Sequence, residues 1–220
     1  MSKEYPILFS APMVRSILAG TKTHTRRVVK GMALEWLGPE GFTPEFVAHR
    51  ENGMCPYGQP GERLWVRETW AGSLANVVAS ADPREVGTQR GMVAYRATYA
   101  GDGCPFGKWR PSIHMPRWAS RITLEITGVR VERLQEISQA DVISEGCVTP
   151  ESAAVLAQCR NALAAPDVIG VDGKVHQDAR HAYRALWESI NGPGSWDANP
   201  WVWVVEFRRL EGREGLTQGE

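Results

Sequence analysis

Apolar positions along the chain fall into two rhythms, and each predicts a different element. Tyr5 to Phe9 is a short apolar run and predicts a strand. Ser10 stands where a helix N-cap belongs, ahead of Pro12, Met13, Val14, Ile17 and Leu18. Met13 and Ile17 lie four apart, enough for one buried stripe, and Gly20 is placed to stop the helix. Lys22 to Val29 is rich in β-branched residues and reads as a turn running into a strand. Residues 31–60 are punctuated by Gly and Pro and predict loop. Glu62 to Trp70 predicts a strand, residues 72–91 a polar surface excursion, and Met92 to Tyr99 another strand. A second Gly/Pro-rich loop reaches Pro116. Arg121 to Thr127 alternates as a half-buried strand, Gly128 marks a bend or bulge, and Val129, Val131 and Leu134 resume the alternation.

The C-terminal third shifts to helical spacing. Ser138-Gln139-Ala140-Asp141 resembles a capping box and starts a short helix that ends near Gly146. Thr149-Pro150-Glu151 starts another, to about Ala164, and residues 165–176 read as loop. Ala179 to Ile190 predicts a helix with Tyr183, Leu186, Trp187 and Ile190 on one face and Asn191-Gly192 as its stop. Trp201 to Phe207 predicts a central strand, and residues 211–220 a frayed tail. About six strands at irregular spacing, short helices and no βαβ rhythm point to an α+β fold: a small barrel or strongly curved sheet with helices at its edges. The 220 residues suit one domain, and no solenoid repeat is present.

Composition narrows the partners. Lys+Arg 25 balances Asp+Glu 25, so bulk charge does not hold this chain to nucleic acid, and any such contact needs a local patch. No stretch reaches the length of a membrane span, and MSKEYPILFS lacks the apolar core of a signal peptide, which predicts a cytoplasmic protein. Cys55, Cys104, Cys147 and Cys159 form no CxxC pair and are expected to be reduced thiols. Two similar tetrads, Cys55-Pro56-Tyr57-Gly58 and Cys104-Pro105-Phe106-Gly107, invite a zinc site completed by His49 or His114. Each supplies only one ligand where a zinc knuckle supplies two, so no metal is expected. Nine tryptophans stand out, as core packing or as stacking faces for bases.

The densest chemistry is Gly20-Thr21-Lys22-Thr23-His24-Thr25-Arg26-Arg27. A desolvated lysine can take a threonine proton, and adjacent arginines can hold a phosphate or carbonyl oxygen. The alternative is a solvated turn whose threonines follow β propensity. Lys108-Trp109-Arg110 and Arg117-Trp118-Ala119-Ser120-Arg121 interleave cations with indoles, a pattern that grips single strands or else folds its tryptophans inward. Glu68, inside an apolar strand, and Glu145, at the end of the capped helix, are the carboxylates with potential roles, Glu68 in binding a substrate or nucleic acid; the alternative for either is a simple pair with an arginine. The aromatics of the 181–190 helix fall at core spacing.

Taken in order, Gly20-x-Lys22-Thr23-x-Thr25-x-Arg27, the block Gly61 to Glu68, the 120–127 strand, the Ser138 to Gly146 helix and the Trp201 to Phe207 strand resemble the ASCH domain, a PUA-like family of small β-barrels. The long loops, the Cys-Pro-Tyr-Gly tetrad and Trp196-Asp197-x-Asn199-Pro200-Trp201 resemble a phage and prophage subgroup. The resemblance makes residues 1–210 one domain, with insertions at about 31–57, 72–91 and 147–178. It implies recognition of RNA, nucleotides or modified bases in the barrel cleft. Some members resemble amidohydrolases that deacetylate N4-acetylcytidine with a Lys, Thr and Glu set, which falls here on Lys22, Thr25 and Glu145. The resulting expectation is a cofactor-free hydrolase of an acyl or amide group on a modified nucleoside, with Thr25 as nucleophile, Lys22 as base, Glu145 orienting the lysine or holding the base's amino edge, and Arg27 stabilising charge. The alternative is a non-catalytic module for RNA or single-stranded nucleic acid, in which Lys22, Arg26 and Arg27 meet phosphates, and Trp65, Trp109 or Trp118 stack on bases. A third is a ribonuclease using the same cleft with help from His24.

Overall fold

The structure, a computed structural model, describes residues 2–72, 93–148, 152, 168–170 and 173–210. Its centre is a five-stranded mixed sheet. Strand β1 (Glu4–Leu8) lies at one edge and pairs in parallel with β3 (Arg63–Arg67). Inward of these run β6 (Thr123–Arg133) and β9 (Trp201–Leu210), and β2 (His24–Val28) forms the opposite edge. Pairs β3–β6, β6–β9 and β9–β2 are antiparallel. Two ribbons stand apart: β4 (Trp70–Gly72) with β5 (Val93–Tyr95), and β7 (Val168–Ile169) with β8 (Val175–His176).

Five α-helices and several short 3-10 turns accompany the strands among the described residues; the α-helices are α1 (Ala11–Leu18), α2 (Met32–Trp36), α3 (Pro44–Ala48), α4 (Gln139–Ser144) and α5 (Ala179–Asn191). The α+β class is as the sequence predicts. The six-stranded barrel is not: five strands share one open sheet, and no closure is found among the described residues. Strand alternation in a sequence says which face is buried, whereas closure depends on how far the edges curl toward each other. Here the edges approach without pairing. The Arg27 guanidinium, on β2, donates to the Leu8 carbonyl at the end of β1 (2.8 Å).

The run Glu62 to Trp70 splits after Arg67, so that Trp70 belongs to the small ribbon. Gly128 marks a register shift in the β6–β9 pair, and a Cβ there would stand 2.8 Å from the Glu206 carboxylate. Within residues 31–60 lie α2 and α3, two single-turn helices in a segment read as loop, and β7–β8 occupies part of 165–176. The 72–91 excursion beyond Gly72, the Thr149 to Ala164 helix apart from Ser152, and the 211–220 tail lie outside the described residues. No helix among the described residues is long and apolar enough to cross a membrane.

Strand β9 explains the architecture. Trp203, Val205 and Phe207 point into a core with Ile7, Phe9, Val14, Ile17, Leu64 and Leu124, roofed by α1. Val202 and Val204 point the other way, toward Tyr183, Trp187, Trp196 and Val142 beneath α4 and α5. A strand covered on both faces needs an unbroken apolar run, which is why Trp201 to Val205 lacks alternation. Edge strand β2 sits beside it, between the two cores, and the chemistry lies there.

Candidate functional site

Three distant segments meet at the β2 edge. The loop after α1 is clamped to the end of α4: the Thr23 N–H donates to the Ser144 carbonyl (2.8 Å), and the Ser16 hydroxyl to the Gly146 carbonyl (3.1 Å). Helix α4 starts with the expected capping box, the Ser138 hydroxyl accepting from the Asp141 N–H (3.1 Å). It ends on Glu145, whose carbonyl is one of those a helix C-terminus leaves without a helical donor. Lys22 fills that vacancy. Its Nζ donates to the Glu145 carbonyl (2.8 Å), the Glu145 Oε2 (2.8 Å) and the His24 carbonyl (2.7 Å). Both side chains are almost wholly buried. Burial pulls the Lys22 ammonium below its ordinary pKa, with the Glu145 carboxylate opposing it.

Glu145 Oε1 accepts from Arg26 (3.1 Å), which also meets Glu132 and Asp141. Arg130 joins Glu132, Asp141 and Glu206, extending the ion pairs outward to the partly exposed middle of β9. His24 sits there. Its Nε2 lies 3.6 Å from Glu206, its Nδ1 lies 2.9 Å from the Thr23 hydroxyl, and burial lowers its pKa.

A cavity of about 300 Å³ opens beside this cluster, near the lower limit for a small-molecule site. Lys22, Thr25, Arg26, Arg27 and Glu145 all line it, with Phe9 and Met13 from the α1 side and Tyr183, Leu186, Trp187 and Ile190 from α5. Thr25 is 1% exposed, and its hydroxyl has no hydrogen-bond partner among the described residues. None of the three Lys22 contacts is with Thr25. Arg27 lies over the Phe9 ring (5.4 Å) and bonds only backbone carbonyls, those of Leu8 and Arg26. Among the described residues it has no carboxylate partner.

The edge contributes backbone groups as well. Phe207 N–H bonds the Thr23 carbonyl, and Val29 N–H bonds the Trp201 carbonyl. Alternation along an antiparallel ladder therefore turns residues 23, 25, 27 and 29 toward β9, and the N–H groups of His24, Arg26 and Val28 away from it. The His24 and Arg26 carbonyls on that side are the ones accepting from Lys22 and Arg27.

The remaining sequence candidates lie elsewhere. Glu68 is buried and bidentate to Arg121 (2.9 and 3.1 Å); burial pushes its carboxyl up while Arg121 opposes. Trp65 has the Arg67 and Arg117 guanidiniums near its ring (5.4 and 5.9 Å). Trp109 donates to the Gly103 carbonyl (3.1 Å) and meets Tyr99 edge-on, while Trp118 does the same with Trp70. None of these four, nor His24, lines the cavity. Arg26 does line it, but carboxylates surround its guanidinium.

Both Cys-Pro tetrads form turns closing on a left-handed glycine, Gly58 (φ 100°) and Gly107 (φ 89°), which accounts for their likeness. A Cβ on Gly58 would strike the Tyr5 ring at 2.7 Å. No group of three metal-ligating side chains occurs among the described residues. The α5 wall was missed by sequence reasoning, because a cavity wall and a core face share the same helical period.

Family models, curated proteins and solved structures were compared with the chain, and none matched.

Proposed function

We propose that the chain is a hydrolase of an acyl or amide group on a cytosine-like modified nucleoside, as the ASCH resemblance implies, with the open sheet acting as a PUA-like barrel whose cleft is the β2-edge cavity. One observation carries the reading. Lys22, Thr25 and Glu145 stand up to 123 residues apart, yet all three are buried and line one cavity.

The Thr25 Oγ forms a bond to the acyl carbon, and the carbonyl π pair moves onto oxygen. Lys22, as the amine, accepts the hydroxyl proton. When the tetrahedral centre collapses, the bond from carbon to the base's exocyclic nitrogen breaks, and Lys22 returns the proton to that nitrogen. Water then attacks the acyl-threonine, losing a proton to Lys22, which protonates Thr25 as the carboxylic acid leaves. Burial favours the amine form, and Glu145 holds the nitrogen in place.

Release of cytidine and acetate from N4-acetylcytidine, followed by ultraviolet absorbance, tests this. Lys22→Ala and Thr25→Val are expected to abolish turnover, and full activity in both refutes the assignment.

A second reading is favoured by the three acceptors around Lys22. A saturated ammonium is a structural cation, and the cavity then binds a modified base without cleaving it. Arg27 and the β2 edge meet the ligand in that case, since Lys22 and Arg26 are already engaged. Saturable binding of N4-acetylcytidine with no product formed supports this reading.

A further inference from the structure

The wall built by α5 carries polar atoms that make no hydrogen bond among the described residues. Tyr183 is 3% exposed and lines the cavity, yet its hydroxyl has no hydrogen-bond partner among the described residues. Trp187, one turn further along and also a lining residue, has a buried indole N–H that is likewise unpartnered. Leaving a buried polar group unmatched costs roughly 1–3 kcal/mol, so the Trp187 N–H calls for an explanation, and the Tyr183 side chain lines the same cavity.

The tyrosine ring is held firmly. It packs against Trp187 (centroids 6.1–6.2 Å from both tryptophans, tilted 41° here) and edge-on against Trp196 (73°). Helix α5 is itself fixed at its start by Asp178, which accepts from the His181 N–H (2.9 Å). Burial, reinforced by the Glu145 carboxylate, pushes the phenol well above its ordinary pKa, so it keeps its proton and remains a donor at neutral pH. Arg27, a lining cation without a carboxylate partner among the described residues, is also a donor. Donors held on two sides of a cavity suit an oxygen that gains negative charge.

We propose that Tyr183 is a catalytic residue of this cavity: its hydroxyl donates a hydrogen bond to the acyl oxygen as that oxygen takes up the carbonyl π pair during attack by Thr25. The proposal rests on the hydrolase reading above. It assigns α5, a helix near the far end of the chain from Lys22, to the transition state rather than to the core alone. No proton is transferred in this step; the phenol keeps its hydrogen while the oxyanion forms and collapses.

The test compares the full-length protein with Tyr183→Phe and with a chain carrying 3,5-difluorotyrosine at position 183, using N4-acetylcytidine. Phenylalanine retains the ring and its contacts with Trp187 and Trp196, so a purely structural tyrosine predicts little change in kcat. The expected result is a fall in kcat of about 10²-fold or more with KM within about threefold. Fluorination acidifies the phenol and is expected to bring the alkaline loss of activity to lower pH, a shift that a packing role does not produce. If Tyr183→Phe fails to fold, that pH shift decides. Wild-type turnover with an unaltered Tyr183→Phe kcat, or an unshifted alkaline limb, overturns the tyrosine assignment and leaves the hydrolase reading standing. A wild-type protein inert toward N4-acetylcytidine overturns both.

Discussion

Replacing Glu145 by Gln strikes the junction on which the site depends. Its two carboxylate oxygens accept from Lys22 at 2.8 Å and from Arg26 at 3.1 Å, and the side chains of all three residues are 5% exposed or less. Glutamine offers one acceptor oxygen and turns an NH2 donor toward whichever cation loses. Breaking a buried ion pair from one side typically costs about 3–5 kcal/mol, because the surviving charge stays buried. For a chain of this size each kcal/mol lowers Tm by about 2–4 °C, so a fall of about 6–20 °C is expected. Lys22→Met should cost less, since Arg26 still neutralises Glu145. The double variant should lose less than the two single losses added together, with a coupling of about 1–3 kcal/mol. Thermal unfolding of the four proteins completes the cycle.

The same variant carries a kinetic prediction of definite sign. A base must be unprotonated, so kcat/KM rises with pH through the Lys22 pKa and levels off beyond it. The Glu145 carboxylate opposes the lowering that burial imposes on that pKa. Removing it lowers the pKa further, and the acidic limb moves to lower pH in Glu145→Gln. A Tm loss under about 2 °C with no coupling between the sites, or a limb displaced to higher pH, refutes the reasoning.

Two further predictions concern the neighbours. Gly146 has φ +65°, and a Cβ there would stand 2.9 Å from both the Lys22 and Ser16 Cβ atoms, so Gly146→Ala should cost roughly 1–3 kcal/mol from the backbone alone and displace Lys22; a wild-type Tm together with wild-type turnover contradicts it. Burial pushes the Cys55 thiol up to about 11 and the Cys147 thiol up to about 12, so neither should react with a disulfide reagent at pH 8 until the protein unfolds. Labelling followed by peptide mass spectrometry checks this, and rapid modification of native Cys147 rules it out.

Local signals in the sequence held where the physics is local. The Ser138 capping box, the Gly128 bulge and the Gly192 stop of α5 each depend on a few adjacent residues, and each forms as expected. The K-T-x-T-x-R segment was legible as a place of chemistry, although not the pairing within it. Arg26 and Arg27 are adjacent and chemically identical, but strand alternation sends one into the carboxylate cluster and the other to the Leu8 carbonyl and the Phe9 ring. Glu145 came to notice through the family resemblance and its place at a helix end. Nothing in its neighbours announces a lysine 123 residues away. Tyr183 and Trp187 do pack into the core their spacing predicts, and their cavity lining is not legible beside it because both demand the same apolar face. Trp65, Trp109 and Trp118 are half-buried beside arginines and other aromatics, neighbours that the cation–indole spacing did not specify.

What separates an enzyme from a binder at this site is the fate of one proton. Lys22 holds three hydrogens against three acceptors, an arrangement that makes the ammonium tolerable in a dry interior. An enzyme must give one of those hydrogens up before Thr25 can attack. Its lysine therefore has to sit near the balance between desolvation and Glu145, and its rate has to follow that balance as pH changes. A binder needs no such poise. Ligand affinity would then track Arg27 and the open β2 edge, and stay flat across the pH range in which Lys22 titrates. The acidic limb of turnover, with its displacement in Glu145→Gln, is thus the one measurement that reads the proton directly, whereas a simple loss of activity in Lys22→Ala is also what a collapsed ion cluster produces.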